Sequence, residues 1–325
     1  MMKYCTFGDY KKCLEFVSGD VRIVVTTEVG PRIIGCFVGD DDNMFVVFPS
    51  EGMKGSDTGL KFYGGHRFWH SPEVYPRTYQ PDNEPVEVIE IEHGVRLISK
   101  PEEKTGLQKT IEIEALNNGV IVVTHKLKNL NMWDIEVAPW ALSMMATGGM
   151  AVIPQDRDLE ADKFTPDRQL TLWPYSSYAD PRLVYGDDYL FLKQDSTIKT
   201  PIKIGFNDQA GWAGYVRNGK ALIKYFDNLA GGDCDYPDGG CSVESYSCSE
   251  FCELETLGVL DILPAGEEVE HVEYWQGICG LPKIETEKDF TENVLSQMLL
   301  QDDGVPCLSC DGIEDEDEDE NEDAL

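Results

Sequence analysis

Short runs of β-branched and aromatic residues, each closed by turn-forming residues, recur along this chain and constrain it to an all-β architecture. Residues 21–27 (VRIVVTT) end at the turn-like Val29-Gly30-Pro31, and residues 31–38 and 43–48 resume as apolar strands around the polar turn GDDDN. Residues 86–91 and 108–114 alternate with period two, and the shorter run 95–99 lies between them. Asn118-Gly119 and Asn218-Gly219 are two-residue hairpin signals, because such turns need positive φ, which Asn and Gly tolerate. Strands are expected again at 242–248, 251–256 and 268–275, and the apolar stretch 138–154 reads as strand, Gly-Gly hairpin, strand. Helical spacing is confined to residues 287–300, where Phe290, Val294 and Met298 share one side after a cap at Thr286. The expected organisation is one sandwich over 1–288, a helix at 289–300 packed on it, and a disordered acidic tail at 301–325.

Charge narrows the partners. The formal net charge is −33, and the last 25 residues hold twelve Asp or Glu and no Lys or Arg. Such a field repels phosphate polymers and anionic membrane surfaces but leaves a small neutral ligand unaffected. No run of 18 apolar residues marks a transmembrane helix, and the start MMKYCTFGDYKKCLEF has no export-signal pattern. The ten cysteines are therefore expected as reduced thiols in a cytoplasm. Neither Cys307-x-x-Cys310 nor Cys241, Cys248 and Cys252 has the paired spacing of a zinc site, and no metal is expected.

Two segments, 49–85 and 155–200, read as loops too long for simple connections. The first contains GGHRFWHSPE, which gathers His66, Arg67, Trp69, His70 and Glu73. A sugar site needs this mixture of a flat apolar ring for the C–H face and charged or imidazole groups for the hydroxyls. A packed loop with Arg67 paired to Glu73 and Trp69 in the core is the structural alternative. His66 and His70, four apart, resemble a metal pair, but no third ligand follows. Further on, Glu253 and Glu255 share one face of an expected strand, near Glu244 and Tyr236. Grouped carboxylates raise one another's pKa and suit general-base work, although an exposed charged strand face has the same sequence. Trp140 is read as either core or sugar platform.

The order of GPRIIGCFVGDDDNMF, GGHRFWHSPE, NNGVIVVTHKLKNL, APWALSMMATGGMAVIP and FCELETLGVLDILPAGEEVEHVEYW resembles the galactose mutarotase-like superfamily over about residues 20–280. The resemblance implies a β-supersandwich with long loops, one short C-terminal helix and a sugar cleft on its large sheet. It aligns Leu254-Glu255-Thr256 with the strand that carries the family's general base, so Glu255 is the expected base. Trp140 stands where the family's mid-chain histidine would be, which leaves His66 or His70 to act as the acid. Arg67, which matches the family's substrate-binding arginine loosely, is an expected sugar contact, and so, from the mixtures above, are Trp69, Glu73, Trp140, Tyr236 and Glu244. No glycine fingerprint or Walker-type motif is present, and no cofactor is expected. Three activities remain open: an aldose mutarotase or related epimerase, a non-catalytic sugar-binding or sensing protein, and an accessory to lysis or hydrolysis of a modified sugar.

Overall fold

The computed structural model describes residues 2–116, 119–155, 157, 164, 168–228 and 235–299. Two large antiparallel sheets, of eleven and ten strands, face each other. The centre of the larger runs through Arg32–Val38, Gly65–Ser71, Ile135–Met145, Cys252–Leu257, Val243–Ser247 and Ile202–Phe206. The centre of the smaller runs through Trp212–Arg217, Lys220–Phe226, Glu268–Ile278, Val120–Asn129 and Leu107–Ala115. A single apolar cluster fills the space between them, with Phe16, Ile33, Phe45, Ile111, Val123, Leu254 and Trp275 among its buried members.

The hairpin at Asn218-Gly219 forms as the sequence predicts, with φ of +49° and +72° and Arg217 opposite Lys220. The pairing of Leu107–Ala115 with Val120–Asn129 is also present, although Asn118 lies outside the described residues. Four expectations change. Residues 43–48 form only isolated bridges at Asn43, Phe45 and Val47. The stretch 138–154 is no hairpin: Ile135–Met145 belongs to the larger sheet and Met150–Pro154 to the smaller, so Gly148-Gly149 hands the chain across the sandwich. The segment 155–200 contains the strands Leu170–Leu172, Leu183–Tyr185 and Tyr189–Lys193.

The fourth change matters most for the site. GGHRFWHS is a central strand, Gly65–Ser71, buried along its whole length, and not a loop. Its Arg and two His interrupt the apolar pattern by which a buried strand is recognised. Gly64 and Gly65 enter it at φ of +78° and +70°, and a Cβ on Gly65 would stand 2.1 Å from the Ile33 carbonyl oxygen. Only glycine admits that backbone approach.

The C-terminal helix covers Glu287–Asn293 and continues as a 3-10 turn at Leu295–Gln297, shorter than the pattern suggests. Thr286 and Asp289 close a reciprocal capping box. The acidic segment 301–325, like Cys234, Cys307 and Cys310, lies outside the described residues; the other seven cysteines are free thiols. No helix among the described residues is long and apolar enough to cross a membrane.

Phe290 anchors the helix, fully buried and stacked on Trp212 with ring centroids 5.7 Å apart and planes 3° from parallel. Phe290→Ala is expected to lower the unfolding free energy by about 3 kcal/mol, by loss of transfer energy plus a cavity. Thr286→Ala, which breaks the cap, costs about 1 kcal/mol. Urea titrations of both variants against the parent chain measure the two effects.

Candidate functional site

Alternation along the central strands sorts their side chains between two environments. In register across the larger sheet, Arg67 lies opposite Leu142, Leu142 opposite Glu255, and Glu255 opposite Glu244. Trp69 lies opposite Trp140, and Glu253 opposite Tyr246, itself opposite Lys203. These side chains share the face turned away from the smaller sheet. There they form a cleft of ≈ 260 Å³, lined by Arg67, Trp69, Glu73, Trp140, Lys203 and Glu253, with Phe62, Tyr79, Tyr175, Tyr246 and Phe251 around them.

The cleft is aromatic with a charged floor. Arg67 stacks over Trp69 at 4.2 Å and donates from Nη2 to Glu253 Oε1 at 3.0 Å. Burial raises the Glu253 carboxyl to about 7, against the attraction of Arg67 and with the repulsion of Glu255. Lys203 Nζ lies 2.6 Å from Glu244 Oε2 and 3.0 Å from Glu255 Oε2, between the Trp140 and Trp173 rings at 4.5 and 4.7 Å. Burial disfavours its charge, but the two carboxylates outweigh that and hold its pKa well above the usual lysine range. One ammonium cannot neutralise two buried carboxylates. Glu244 is accordingly pushed well above the carboxylate range by burial and by Glu255, despite Lys203.

Of the residues expected at the site, Arg67, Trp69, Glu73 and Trp140 line the cleft. Both Trp rings are wall more than platform, being 4% and 2% exposed. Glu255 lies on the cleft side but is 0% exposed, accepting from Trp140 Nε1 at 2.9 Å as well as from Lys203. Glu244 lies beside it, equally buried. Tyr236 does not line the cleft; its hydroxyl donates to Asn228 Oδ1 at 3.3 Å.

His66 and His70 are the main correction. They occupy the opposite face of Gly65–Ser71 from Arg67 and Trp69, because one residue along a strand reverses direction. His66 points between the sheets, with Nε2 2.6 Å from His125 Nε2 and Nδ1 2.9 Å from Ser143 Oγ. His125 Nδ1 donates to the His271 carbonyl oxygen at 2.9 Å, so its Nε2 accepts from His66, whose Nδ1 accepts from Ser143. Nearby, the Glu273 carboxylate accepts from Lys224, Trp275 Nε1 and Thr256 Oγ1, and Thr256 accepts from His271 Nε2. Donor atoms of His66, His125 and Glu273 lie within 4.8 Å of one another, as in a metal site. Lys224 already supplies the positive charge there and the Glu273 oxygens are hydrogen-bonded, so the group fits a structural network better than a cation.

Sequence reasoning missed Lys203, the three tyrosines and the two phenylalanines of the cleft. Lys203 carried a signal, as the lone cation between Ile202 and Ile204 in an apolar strand. Tyr79 and Tyr175 gave none, since they come from segments without strand periodicity, whereas Tyr246 lies two residues from Glu244 in an expected strand.

No protein-family model matches the chain, and no curated protein matches its sequence. Solved structures do match its fold. A candidate aldose 1-epimerase from Klebsiella pneumoniae superposes with a TM-score of 0.54 at 13% identity, over 86% of this chain and 83% of that one. A candidate aldose 1-epimerase from Escherichia coli gives 0.52 at 11% identity, over 82% of this chain and 98% of that one. A galactose mutarotase-like protein from Lactobacillus casei gives 0.52 at 9% identity, over 82% and 100%. The fold is thus the galactose mutarotase-like sandwich.

The buried imidazoles set an acid limit on stability. Burial lowers His125 to about 4 and His271 to about 3, and holds His66 and His70 well below the ordinary value. Each binds a proton in the unfolded chain below pH ~6.5 but not in the fold, so its contribution is complete above that pH and is lost on acidification. Glu244 and Glu253, with raised folded values, act in the opposite sense over the same window. Four groups against two leave the unfolded chain with a surplus of bound protons toward the acid end of that window, so stability falls there as pH falls. Urea unfolding at pH 6.5, 6.0 and 5.5 is expected to show stability falling progressively, more steeply toward pH 5.5; stability independent of pH would contradict buried neutral histidines.

Proposed function

We propose that the cleft binds a single sugar ring and interconverts its anomers, as an aldose 1-epimerase does, with Glu253 in place of Glu255 as the base. The supporting observation is a carboxyl raised to about 7 that lines an aromatic cleft, the tuning that general-base work at neutral pH requires. The cleft's ≈ 260 Å³ falls just below the roughly 300–1,000 Å³ of sites for drug-sized ligands, which suits one pyranose. Glu255 serves instead as a buried counter-charge that fixes Lys203 and Trp140.

In this reading the Tyr and Phe rings cover the apolar face of the sugar and Arg67 holds hydroxyl groups. Glu253 removes the proton of the anomeric hydroxyl, a C=O bond forms at that carbon, and the bond to the ring oxygen breaks. Lys203 uses two of its donors on Glu244 and Glu255 and turns the third to the ring oxygen, where negative charge develops and solvent supplies a proton. Rotation of the aldehyde and reversal of the same steps close the ring with inverted anomeric configuration. A cytoplasmic role in carbohydrate metabolism belongs to this proposal.

A second reading, sugar binding without catalysis, is favoured by a different observation. No imidazole is among the cleft-lining side chains, which leaves the acid half of the reaction without a readily titrating group.

Polarimetry and NMR on fresh α-glucose and α-galactose separate the two. Anomer interconversion is expected to be accelerated by the parent protein and slowed by roughly 10²-fold or more in Glu253→Gln, with binding retained. Lys203→Met is expected to weaken both binding and rate. Saturable binding with no acceleration supports the second reading; the absence of both rejects the sugar assignment for these two hexoses.

A further inference from the structure

The opposite face of Gly65–Ser71 carries a second feature that the cleft does not use. His70 is 1% exposed, yet neither ring nitrogen has a hydrogen-bond partner among the described residues. An imidazole buried in that way leaves a donor and an acceptor unmet, at a cost comparable to losing hydrogen bonds. It lines a cavity of ≈ 360 Å³ where the two sheets part, behind the strand whose other face forms the sugar cleft.

The chemistry of this cavity differs from that of the cleft. Its apolar lining comes from Leu107, Ile135, Val137 and Pro76, and Trp133, 61% exposed, stands at its rim. Arg77 and Lys104 also line it, against one carboxylate, Glu136, and all three are exposed. The lining thus carries excess positive charge in a chain of formal charge −33. Burial, followed by the fields of Lys109 and Arg77, keeps the His70 ring neutral, so it offers one N–H and one lone pair.

The geometry points to a second ligand site, for a small organic carboxylate with an apolar body, between His70 and Trp133. The apolar body covers the Leu107–Ile135–Val137 surface and stacks against Trp133, while the carboxylate accepts from the His70 N–H and faces Arg77 and Lys104. Charge-assisted hydrogen bonds of this kind are stronger than neutral ones, which gives the anion its advantage over an uncharged analogue. The site does not depend on what the sugar cleft does.

The test is titration of the full chain with sodium phenylacetate, and with 2-phenylethanol as the uncharged control. Tryptophan fluorescence of the parent and of Trp133→Phe, together with the His70 imidazole signals in NMR, reports occupancy. Phenylacetate is expected to bind saturably, shift the His70 signals and produce a fluorescence change that Trp133→Phe abolishes. Its Kd is expected to rise roughly tenfold in His70→Phe and roughly threefold in Arg77→Ala. 2-Phenylethanol is expected to bind about tenfold more weakly. If His70→Phe does not fold, the exposed Arg77 variant and the His70 signals of the parent decide the question. No saturable response, equal affinity for the alcohol, or an affinity unchanged by these variants would overturn the proposal.

Discussion

Side chains along a strand alternate between the two faces of its sheet, and at the centre of the larger sheet both faces are covered. Everything distinctive about the molecule follows from that alternation in Gly65–Ser71. Arg67 and Trp69 go to one side and join Trp140, Lys203 and Glu253 in the cleft. His66 goes to the other and enters the hydrogen-bonded layer between the sheets, while His70 reaches a separate cavity. A shift of one residue in pairing register would exchange these sets, placing a guanidinium in the core and two imidazoles in the cleft. The glycines at the start of the strand, tight against the Val46 and Ile33 carbonyls, hold it close to its neighbours and favour this register.

Charge in the cleft is organised by scarcity of counter-ions. Three buried carboxylates, Glu244, Glu253 and Glu255, share two cations, Arg67 and Lys203. In a water-poor environment burial and mutual repulsion oppose ionisation of the surplus, which raises Glu244 and Glu253. Glu244, beneath the surface, is pushed well above the carboxylate range, and Glu253, nearer the opening, is raised to about 7. Glu244 and Glu255 also hold the Lys203 ammonium between two indole rings. The cluster is therefore a positioning device as much as a store of charge.

Between the sheets the solution is different. Glu273 keeps its charge because Lys224 stands 2.9 Å away and outweighs burial, while His66, His125 and His271 stay neutral and pass hydrogen bonds from one group to the next. Each imidazole has both a donor and an acceptor to place, and a neutral ring with both satisfied is tolerated in a core where a charged one is not. These polar contacts specify how the two sheets seat on each other more sharply than an apolar layer alone would.

The all-β class was legible from the strand spacing, as were the Asn218-Gly219 turn and the shared face of Glu253 and Glu255, because each depends on residues near in sequence. The resemblance in motif order anticipated the sandwich that the solved structures share. What the sequence obscured was the identity of GGHRFWHS as a central strand, since its charges are satisfied by partners as far away as Glu253 and His125 and so do not look buried locally. It also could not show that 138–154 crosses between sheets, because strand–turn–strand has one pattern whether the strands pair or part. Which of two carboxylates on one face meets solvent was likewise decided by tertiary structure. Glu255 is capped by Lys203 and Trp140 from neighbouring strands, while Glu253, two residues away, faces the opening. Periodicity assigns a side chain to a face; only the packing of distant strands decides whether that face is core, cleft or cavity.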